Sequence, residues 1–309
     1  MRTVRFLLLQ AALTYGALGQ QPDFDKIQIQ VQRVQGGVYM MTGAGGNTAV
    51  QLGRDGVLLV DTQFAPLAPK LMAEIRKLNQ GPLLFIINTH FHPDHVGGNA
   101  ALARLAEPDL KGAPLKIIGH ENVLNRLSKP AAGLPPLPAE GLPLDEYFTP
   151  FKDLHINGEA VIIYHEPDAH TDGDSVVLFR GSDVVATGDI FTPGAYPFLD
   201  IDHGGSVQGE ISALNHILDL TVPGHTQEGG TYVIPGHGRV CDEADVVEFR
   251  DMVVIVRDRI RDMINRKLPL EQIQAARPTR DYDPEYVTAG SFVKANQFVE
   301  AVYRSLTKK

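Results

Sequence analysis

One short stretch, NTHFHPDHVGGN at residues 88–99, holds most of the side chains able to carry chemistry. It places His90, His92, Asp94 and His95 within six residues, directly after an apolar run typical of a buried strand. Neutral imidazoles and a carboxylate, without cysteine, are ligands that suit zinc or iron. Four such residues at the end of a strand indicate a metal site; the alternative is a solvated, histidine-rich turn.

The residues around this cluster predict a sharp change of direction. His90 and His92 are two residues apart and therefore leave an extended strand on the same side. Pro93 resists continued helix or sheet geometry, and the pair Gly97 and Gly98 lets the backbone turn closely into the next helix.

Three further ligand candidates stand at the ends of later predicted strands. His170 follows VIIYHEP, Asp189 ends VVATGD, and His237 ends YVIPGHG. Taken singly, each has a plain interpretation as a capping, turn or loop residue. Together with the first cluster they make seven candidates for direct contact with a metal.

Strands and helices alternate in two successive halves. In the first, short strands from Lys26 onward are followed by helical segments at 65–78, 96–105 and 121–127, with strands at 83–87 and LKIIG between them. In the second, strands at INGEAVIIYHEP, SVVLFRG and DVVATGD precede a helix at 206–220, the strand TYVIPGHG and a mostly helical tail. This order predicts an α/β fold of two mixed sheets face to face with helices outside.

The order of the ligand candidates resembles that of the metallo-β-lactamase superfamily. The match comprises His90-x-His92-x-Asp94-His95, then His170, Asp189 and His237, over about residues 27–240, together with Asp61 in GVLLVDT. The resemblance implies an αββα sandwich with a two-metal site at one edge of the sheets. The pattern is similar to the glyoxalase-like and lactonase-like branches, which use a bridging aspartate.

The resemblance also implies a role for each matched residue. The ligands would form two groups joined by one carboxylate: His90, His92 and His170 hold one metal, Asp94, His95 and His237 hold the other, and Asp189 bridges them. Asp61 would lie behind the ligands and orient an imidazole.

The same resemblance implies a zinc-dependent hydrolase with two Zn²⁺ ions. A water bridging two cations gives hydroxide at neutral pH, and Asp94 would position it and shuttle its proton. We predict cleavage of a small carbonyl substrate, a cyclic amide or ester such as a β-lactam or lactone. The alternatives are a thioester hydrolase, an iron-dependent oxidoreductase of the same fold, and a non-catalytic relative, which would be expected to have lost ligands.

The substrate is less well determined by the sequence. Tyr196 stands where lactonase-like members carry a substrate-facing tyrosine, so its hydroxyl is predicted to stabilise an oxyanion; the alternative is aromatic packing. Many β-lactamases grip the substrate carboxylate with a lysine, but no Lys or Arg lies between Arg180 and Arg239. Hydroxyls of Thr192 and Ser206 remain available for that task.

Composition limits the partners. The formal charge of −9 argues against nucleic acid or anionic membrane as a partner, so we expect a small-molecule substrate. Cys241 is the one cysteine, which excludes an internal disulfide and a thiolate cluster. The oligomeric state is left open.

Three segments are predicted along the chain. Residues 1–19 carry two arginines followed by an apolar run and small residues, the layout of a signal peptide, which predicts a periplasmic or secreted protein without stable membrane insertion. The alternative is an N-terminal helix packed on the domain. Residues 20–241 form the metallo-β-lactamase-like domain, and residues 242–309 form a helical extension packed on it. The Pro-rich loop at 129–147 either covers the metal edge or is a surface excursion.

Overall fold

The structure is a computed structural model that describes residues 22–107, 115–129, 137–226, 229–288 and 291–308. The predicted signal peptide, residues 1–19, lies outside the described residues. Within the described ranges, no helix is both long enough and apolar enough to cross a bilayer.

The first sheet has seven strands arranged in chain order. They are β1 (Gln30–Gln35), β2 (Val38–Thr42), β3 (Thr48–Leu52), β4 (Val57–Val60), β5 (Leu83–Ile87), β6 (Lys116–His120) and β7 (Asp145–Tyr147). Strands β1 to β4 pair antiparallel through short turns, and β4 to β7 pair parallel. Parallel pairing needs crossovers, and each of the three crossovers contains a helix.

The second sheet has five strands in the order β12-β11-β10-β9-β8. They are β8 (Phe151–Ile156), β9 (Glu159–Glu166), β10 (Asp174–Phe179), β11 (Val184–Ala186) and β12 (Tyr232–Ile234). Only the β11–β12 pair is parallel, so both sheets are mixed.

Helices cover the outer faces of both sheets. They are α1 (Ala68–Leu78), α2 (Pro93–Val96), α3 (Asn99–Ala106), α4 (Glu121–Ser128), α5 (Val207–Leu220), α6 (Glu243–Asn265), α7 (Leu270–Ala276), α8 (Asp283–Tyr286) and α9 (Ala295–Thr307). Apolar residues of α1 and α3 pack on the first sheet, and those of α5, α6 and α9 pack on the second.

The two sheets face each other across a shared apolar layer. Leu58 and Ile87 of the first sheet lie in one buried cluster with Ile163, Phe179 and Ile234 of the second. The predicted αββα sandwich of two mixed sheets flanked by helices is therefore confirmed. The predicted domain boundary after residue 241 falls at Asp242, the N-cap of α6.

Two local predictions are corrected. The single helix predicted at 96–105 is two helices, α2 and α3, because the chain bends at Gly97 and Gly98. A Cβ on Gly98 would lie 2.2 Å from the Thr62 carbonyl oxygen, so the close approach needs glycine. The predicted loop at 129–147 ends in strand β7, which pairs with β6 at the edge of the first sheet.

Candidate metal centre

The structure brings all seven sequence-predicted ligands to one edge of the sandwich. His90 and His92 follow β5, Asp189 follows β11, and His237 follows β12. His170 follows β9, and the whole set forms two groups: His90, His92, His170 and Asp189, and separately Asp94, His95 and His237. Within each group, one potential ligand atom per residue lies within 4.8 Å of all the others.

The carboxylate of Asp189 faces both groups. Its Oδ2 atom lies 3.9 Å from Nε2 of His90 and 3.9 Å from Nε2 of His170. Its Oδ1 atom lies 3.2 Å from Nε2 of His95 and 3.4 Å from Nε2 of His237. One side chain therefore offers a separate oxygen to each group.

Hydrogen bonds fix the tautomer of each imidazole in the three-histidine group. His170 Nδ1 donates to the backbone carbonyl of Phe198, which can only accept. His92 Nε2 donates to Asp200 Oδ2 at 3.0 Å. These bonds leave Nε2 of His170 and Nδ1 of His92, which lie 2.9 Å apart, as unprotonated atoms facing the site.

A second network behind the site orients His90 and His95. Thr89 Oγ1 donates to Asp61 Oδ2 at 2.6 Å, so it accepts from His90 Nδ1 at 3.0 Å. His95 Nδ1 lies 2.7 Å from the same Asp61 oxygen and donates to it. Asp61 thus orients an imidazole, as the resemblance implied. It has a left-handed backbone with φ of +62°, which aspartate tolerates better than most residues.

Several buried polar atoms in the site have no protein partner. His90 Nε2, His95 Nε2 and Asp189 Oδ1 are buried and make no hydrogen bond to any described residue. Buried polar atoms are normally hydrogen-bonded, and these three point toward the other ligand candidates. Two imidazole nitrogens and a carboxylate oxygen in this arrangement fit divalent cations.

In the metal-free protein, burial and nearby charges shift histidine pKa values in opposite directions in the two groups. Burial lowers the pKa of His170 to about 4, with the neighbouring His92 adding to the effect. Burial likewise lowers the pKa of His90 well below its usual value, reinforced by the imidazoles of His95 and His170. His90 and His170 are therefore neutral and ready to coordinate at pH 7.

In the other group the nearby carboxylates raise the histidine pKa values by more than burial lowers them. Burial opposes the charged form of His237, but Asp189 and Asp94 raise its pKa to about 9. The same two carboxylates outweigh burial at His95 and raise its pKa well above the usual value. These two imidazoles must lose protons before they can bind a metal.

The site opens to solvent on the side of the second group. The His237 side chain is 36% exposed and that of Asp94 is 27% exposed, whereas His95 is fully buried. Solvent thus reaches the carboxylate of Asp94.

The prediction for Tyr196 is wrong. Its hydroxyl lies 3.1 Å from the carbonyl oxygen of Thr279 and 3.0 Å from Asp283 Oδ1. Its ring is buried and stacks between Tyr286 and Phe298 in the helical core. The hydroxyl is engaged by the C-terminal segment, so the packing alternative holds.

The sequence interpretation missed Asp200 and misjudged Ser206. Asp200 accepts from His92 and also from His203, with 2.7 Å between Oδ2 and Nδ1 of the latter. No spacing signal marks Asp200, because its loop reaches His92 only through the fold. Ser206 caps α5, accepting from the amide of Gly209 and donating to the carbonyl of Asp168, and so has no free hydroxyl for substrate.

An αββα sandwich with seven histidine and aspartate ligand candidates at one edge defines the class: an α/β protein built around a metal centre. Residues 41–225 match the family model of the metallo-beta-lactamase superfamily. The chain belongs to the metallo-β-lactamase superfamily.

Relatives of two kinds are similar to this chain. A linear primary-alkylsulfatase of Pseudomonas sp. (strain ATCC 19151) is 34% identical over 74 residues, which is 24% of this chain and 14% of that protein. The stereoselective inverting sec-alkylsulfatase Pisa1 from Pseudomonas sp. superposes with a TM-score of 0.64 at 16% identity, over 89% of this chain and 50% of that one. The chain thus spans half the length of this solved alkylsulfatase.

Relatives of the second kind are metallo-beta-lactamases, whose chains are about as long as the sandwich of this protein. A metallo-beta-lactamase from Pontibacter korlensis superposes with a TM-score of 0.56 at 17% identity, covering 73% of this chain and 99% of that one. At these identities both structural matches support the fold alone.

Proposed function

We propose that this protein is a two-metal hydrolase of a small carbonyl substrate, a cyclic amide or ester such as a β-lactam or lactone. The observation that carries the proposal is the Asp189 carboxylate, which directs one oxygen to each of two ligand groups. A structural metal site normally closes around one ion with four ligands. A carboxylate shared between two groups at a solvent-open edge suits catalysis better.

Zinc fits the donor set. The site offers five imidazoles and two carboxylates without sulfur, and hydrolytic zinc sites use histidine and carboxylate ligands. Two such cations, when bound, activate water as a nucleophile and polarise the group to be cleaved. Iron accepts similar ligands, and iron in place of zinc would favour the oxidoreductase alternative.

The protein's own residues have two tasks in this proposal. Hydrogen bonds to Asp61, Thr89, Asp200 and the Phe198 carbonyl hold four imidazoles in fixed orientations, so the site needs little rearrangement to bind metal ions. Asp94 is a partly exposed carboxylate at the mouth of the site. We assign it the transfer of a proton between the nucleophile and the leaving group.

Sulfate ester hydrolysis is the second candidate. It is supported by the 74-residue segment that is 34% identical to a linear primary-alkylsulfatase. The ligand arrangement is compatible with either reaction, because both require an activated water and compensation of negative charge on the leaving oxygen or nitrogen.

Export is part of the proposal as well. The basic and apolar character of residues 1–19 supports a signal peptide and a periplasmic or secreted location. Expression of the full chain in a bacterial host, followed by fractionation and N-terminal sequencing, tests it. An unprocessed protein confined to the cytoplasm would contradict export.

The activity is tested with three substrates side by side: a chromogenic cephalosporin, a γ-lactone and a primary alkyl sulfate. Each is offered to zinc-loaded protein, to chelated protein and to the Asp189→Ala variant, and the metal content per chain is measured in parallel. We expect chelator-sensitive hydrolysis of the lactone or cephalosporin with about two zinc ions per chain. Turnover of the sulfate alone would select the second candidate, and no turnover of any of the three would reject the proposal.

A further inference from the structure

Two exposed phenylalanine side chains contact each other, and one of them, Phe198, lies beside the three-histidine group. Phe198 is 39% exposed and Phe292 is 53% exposed, and their rings meet edge to face with 5.4 Å between centroids. Exposed aromatic side chains that adjoin one another next to a polar site mark surfaces that bind something apolar.

Phe198 is fixed directly against the ligand candidates. Its ring centroid lies 5.7 Å from that of His170 and 5.9 Å from that of His92. Its backbone carbonyl also accepts the hydrogen bond from His170 Nδ1. An apolar group resting on Phe198 would therefore lie within a few ångströms of the cleavage site.

Phe292 extends this surface away from the centre. The next residue, Val293, is buried in the core formed with α6 and α9 and anchors the Phe292 backbone. The C-terminal segment thus contributes one half of the surface and the loop after β11 contributes the other.

Arg126, a cation on this side of the site, is already paired with a carboxylate. Arg126 pairs with Asp172 through two hydrogen bonds, and its guanidinium lies 5.6 Å above the ring of Phe91. Phe91 in turn contacts the ring of His92 at 4.6 Å between centroids. The cation nearest Phe91 is therefore paired, the Asp200 carboxylate is held by His92 and His203, and the rings of Phe91 and Phe198 both contact His92, which suits a neutral, apolar substituent.

We infer that Phe198 and Phe292 form a binding surface for an apolar alkyl or aryl substituent of the substrate. This inference rests on the proposed function and narrows it to esters or amides that carry such a substituent. The group to be cleaved lies over the two ligand groups, and the substituent extends across Phe198 toward Phe292.

The test is a binding measurement that does not require turnover. Sodium butanoate, hexanoate and octanoate, which resemble ring-opened products, are titrated calorimetrically into the zinc-loaded full chain. Each buried methylene strengthens binding by about fourfold, and partial burial of four methylenes should make octanoate bind at least about tenfold more tightly than butanoate.

The variants separate a substrate surface from a general apolar effect. Phe292→Ala should reduce the ratio of octanoate to butanoate affinity to about twofold or threefold and leave butanoate affinity unchanged. Phe198→Ala should reduce the same ratio to a similar value, and alanine keeps the carbonyl that orients His170. Phe151→Ala is the matched control: Phe151 is 52% exposed but lies on β8, at the opposite edge of the second sheet from β11 and β12. The ratio of octanoate to butanoate affinity in Phe151→Ala should equal that of the wild type.

The outcomes distinguish this inference from the proposed function. Equal affinities for all three carboxylates in the wild type, or an unchanged ratio in the Phe198→Ala/Phe292→Ala double variant, would overturn the apolar surface. A chain-length dependence that the double variant removes, without turnover of lactone, cephalosporin or sulfate, would support the surface and reject the hydrolase. With an active enzyme, the γ-butyrolactone to γ-decalactone series should show the same dependence in KM and little change in kcat.

Discussion

Asp61 accepts a hydrogen bond from the His95 imidazole, with 2.7 Å between Oδ2 and Nδ1, and both side chains are almost fully buried. This bond places the proton on Nδ1 and leaves Nε2 of His95 directed at Asp189. Asp61 therefore supports the candidate metal centre by orienting His95, although it is not itself one of the ligand candidates.

Asp61→Asn should weaken metal binding while preserving the fold. Asparagine tolerates the same left-handed backbone, but its neutral amide is a poorer acceptor for His95. Loss of such a supporting group costs about 10-fold to 100-fold in metal affinity. Competition with a chromophoric chelator measures the affinity, and circular dichroism verifies the fold. An affinity equal to that of the wild type would show that the bond does not matter for metal binding.

Removal of a ligand candidate should empty part of the site. His92→Ala or Asp189→Ala is expected to lower the bound metal to one ion per chain or fewer and to reduce turnover by at least about 100-fold. The matched control is His155→Ala, since His155 is exposed on β8 away from the site. Elemental analysis and kinetics give the two readouts, and a ligand variant with full metal content would contradict the assignment.

The two ligand groups should load at different pH values. In the metal-free protein His170 has a pKa of about 4 and is already neutral at pH 7, whereas His237 has a pKa of about 9 and is protonated. Metal binding to the second group must therefore release protons and weaken as the pH falls below 9. The first group should retain its metal down to about pH 5.

Calorimetric zinc titrations in buffers of different ionisation enthalpy count these protons. We expect a first ion bound without net proton release at pH 7 and a second bound with release of about one or two protons. His237→Ala should reduce the release by about one proton, because His95 still loses its own. Identical proton counts for both ions would contradict the division between the groups.

Tyr196→Phe should affect stability rather than catalysis. The variant loses the hydrogen bonds to the Thr279 carbonyl and Asp283 but keeps the stacked ring. The expected loss is about 1 kcal/mol in the free energy of unfolding, with kcat and KM unchanged. Chemical denaturation and steady-state kinetics check both parts. A fall in kcat without a stability change would restore Tyr196 to the active site.

Glu210 on α5 should make stability fall as the pH rises. Its carboxyl is fully buried, has no hydrogen-bond partner among the described residues, and has a pKa raised by burial and by the carboxylates of Asp174 and Asp189. Above about pH 4 the unfolded chain ionises Glu210 while the folded protein does not. The wild type therefore loses stability with rising pH until the folded-state pKa is passed.

Glu210→Gln removes this ionisation. The unfolding free energy of the wild type, relative to that of the variant, should therefore fall by about 1–3 kcal/mol between pH 4 and pH 8. The variant should be the relatively more stable protein at the higher pH. Glu300→Gln, which replaces an exposed glutamate on α9, serves as the control. A pH-independent difference for Glu210→Gln would show that its carboxyl ionises normally.

The sequence by itself determined the layers of the fold and the side chains of the metal centre. Apolar runs such as 83–87 match their strands because a buried strand must be apolar throughout. The ligand candidates are identifiable because the spacing around Pro93, Gly97 and Gly98 is local and the later ones stand at strand ends. The order of these residues also identified the superfamily.

Only the tertiary structure decided how distant residues act on one another. The pairing of Asp200 with His92 joins positions 108 residues apart, and the Tyr196 hydroxyl meets Asp283 across 87 residues. The surface formed by Phe198 and Phe292 likewise joins residues that are distant in the sequence. Hydrogen-bond partners and exposed surfaces of this sort depend on how loops and helices pack, and neither composition nor local spacing encodes them.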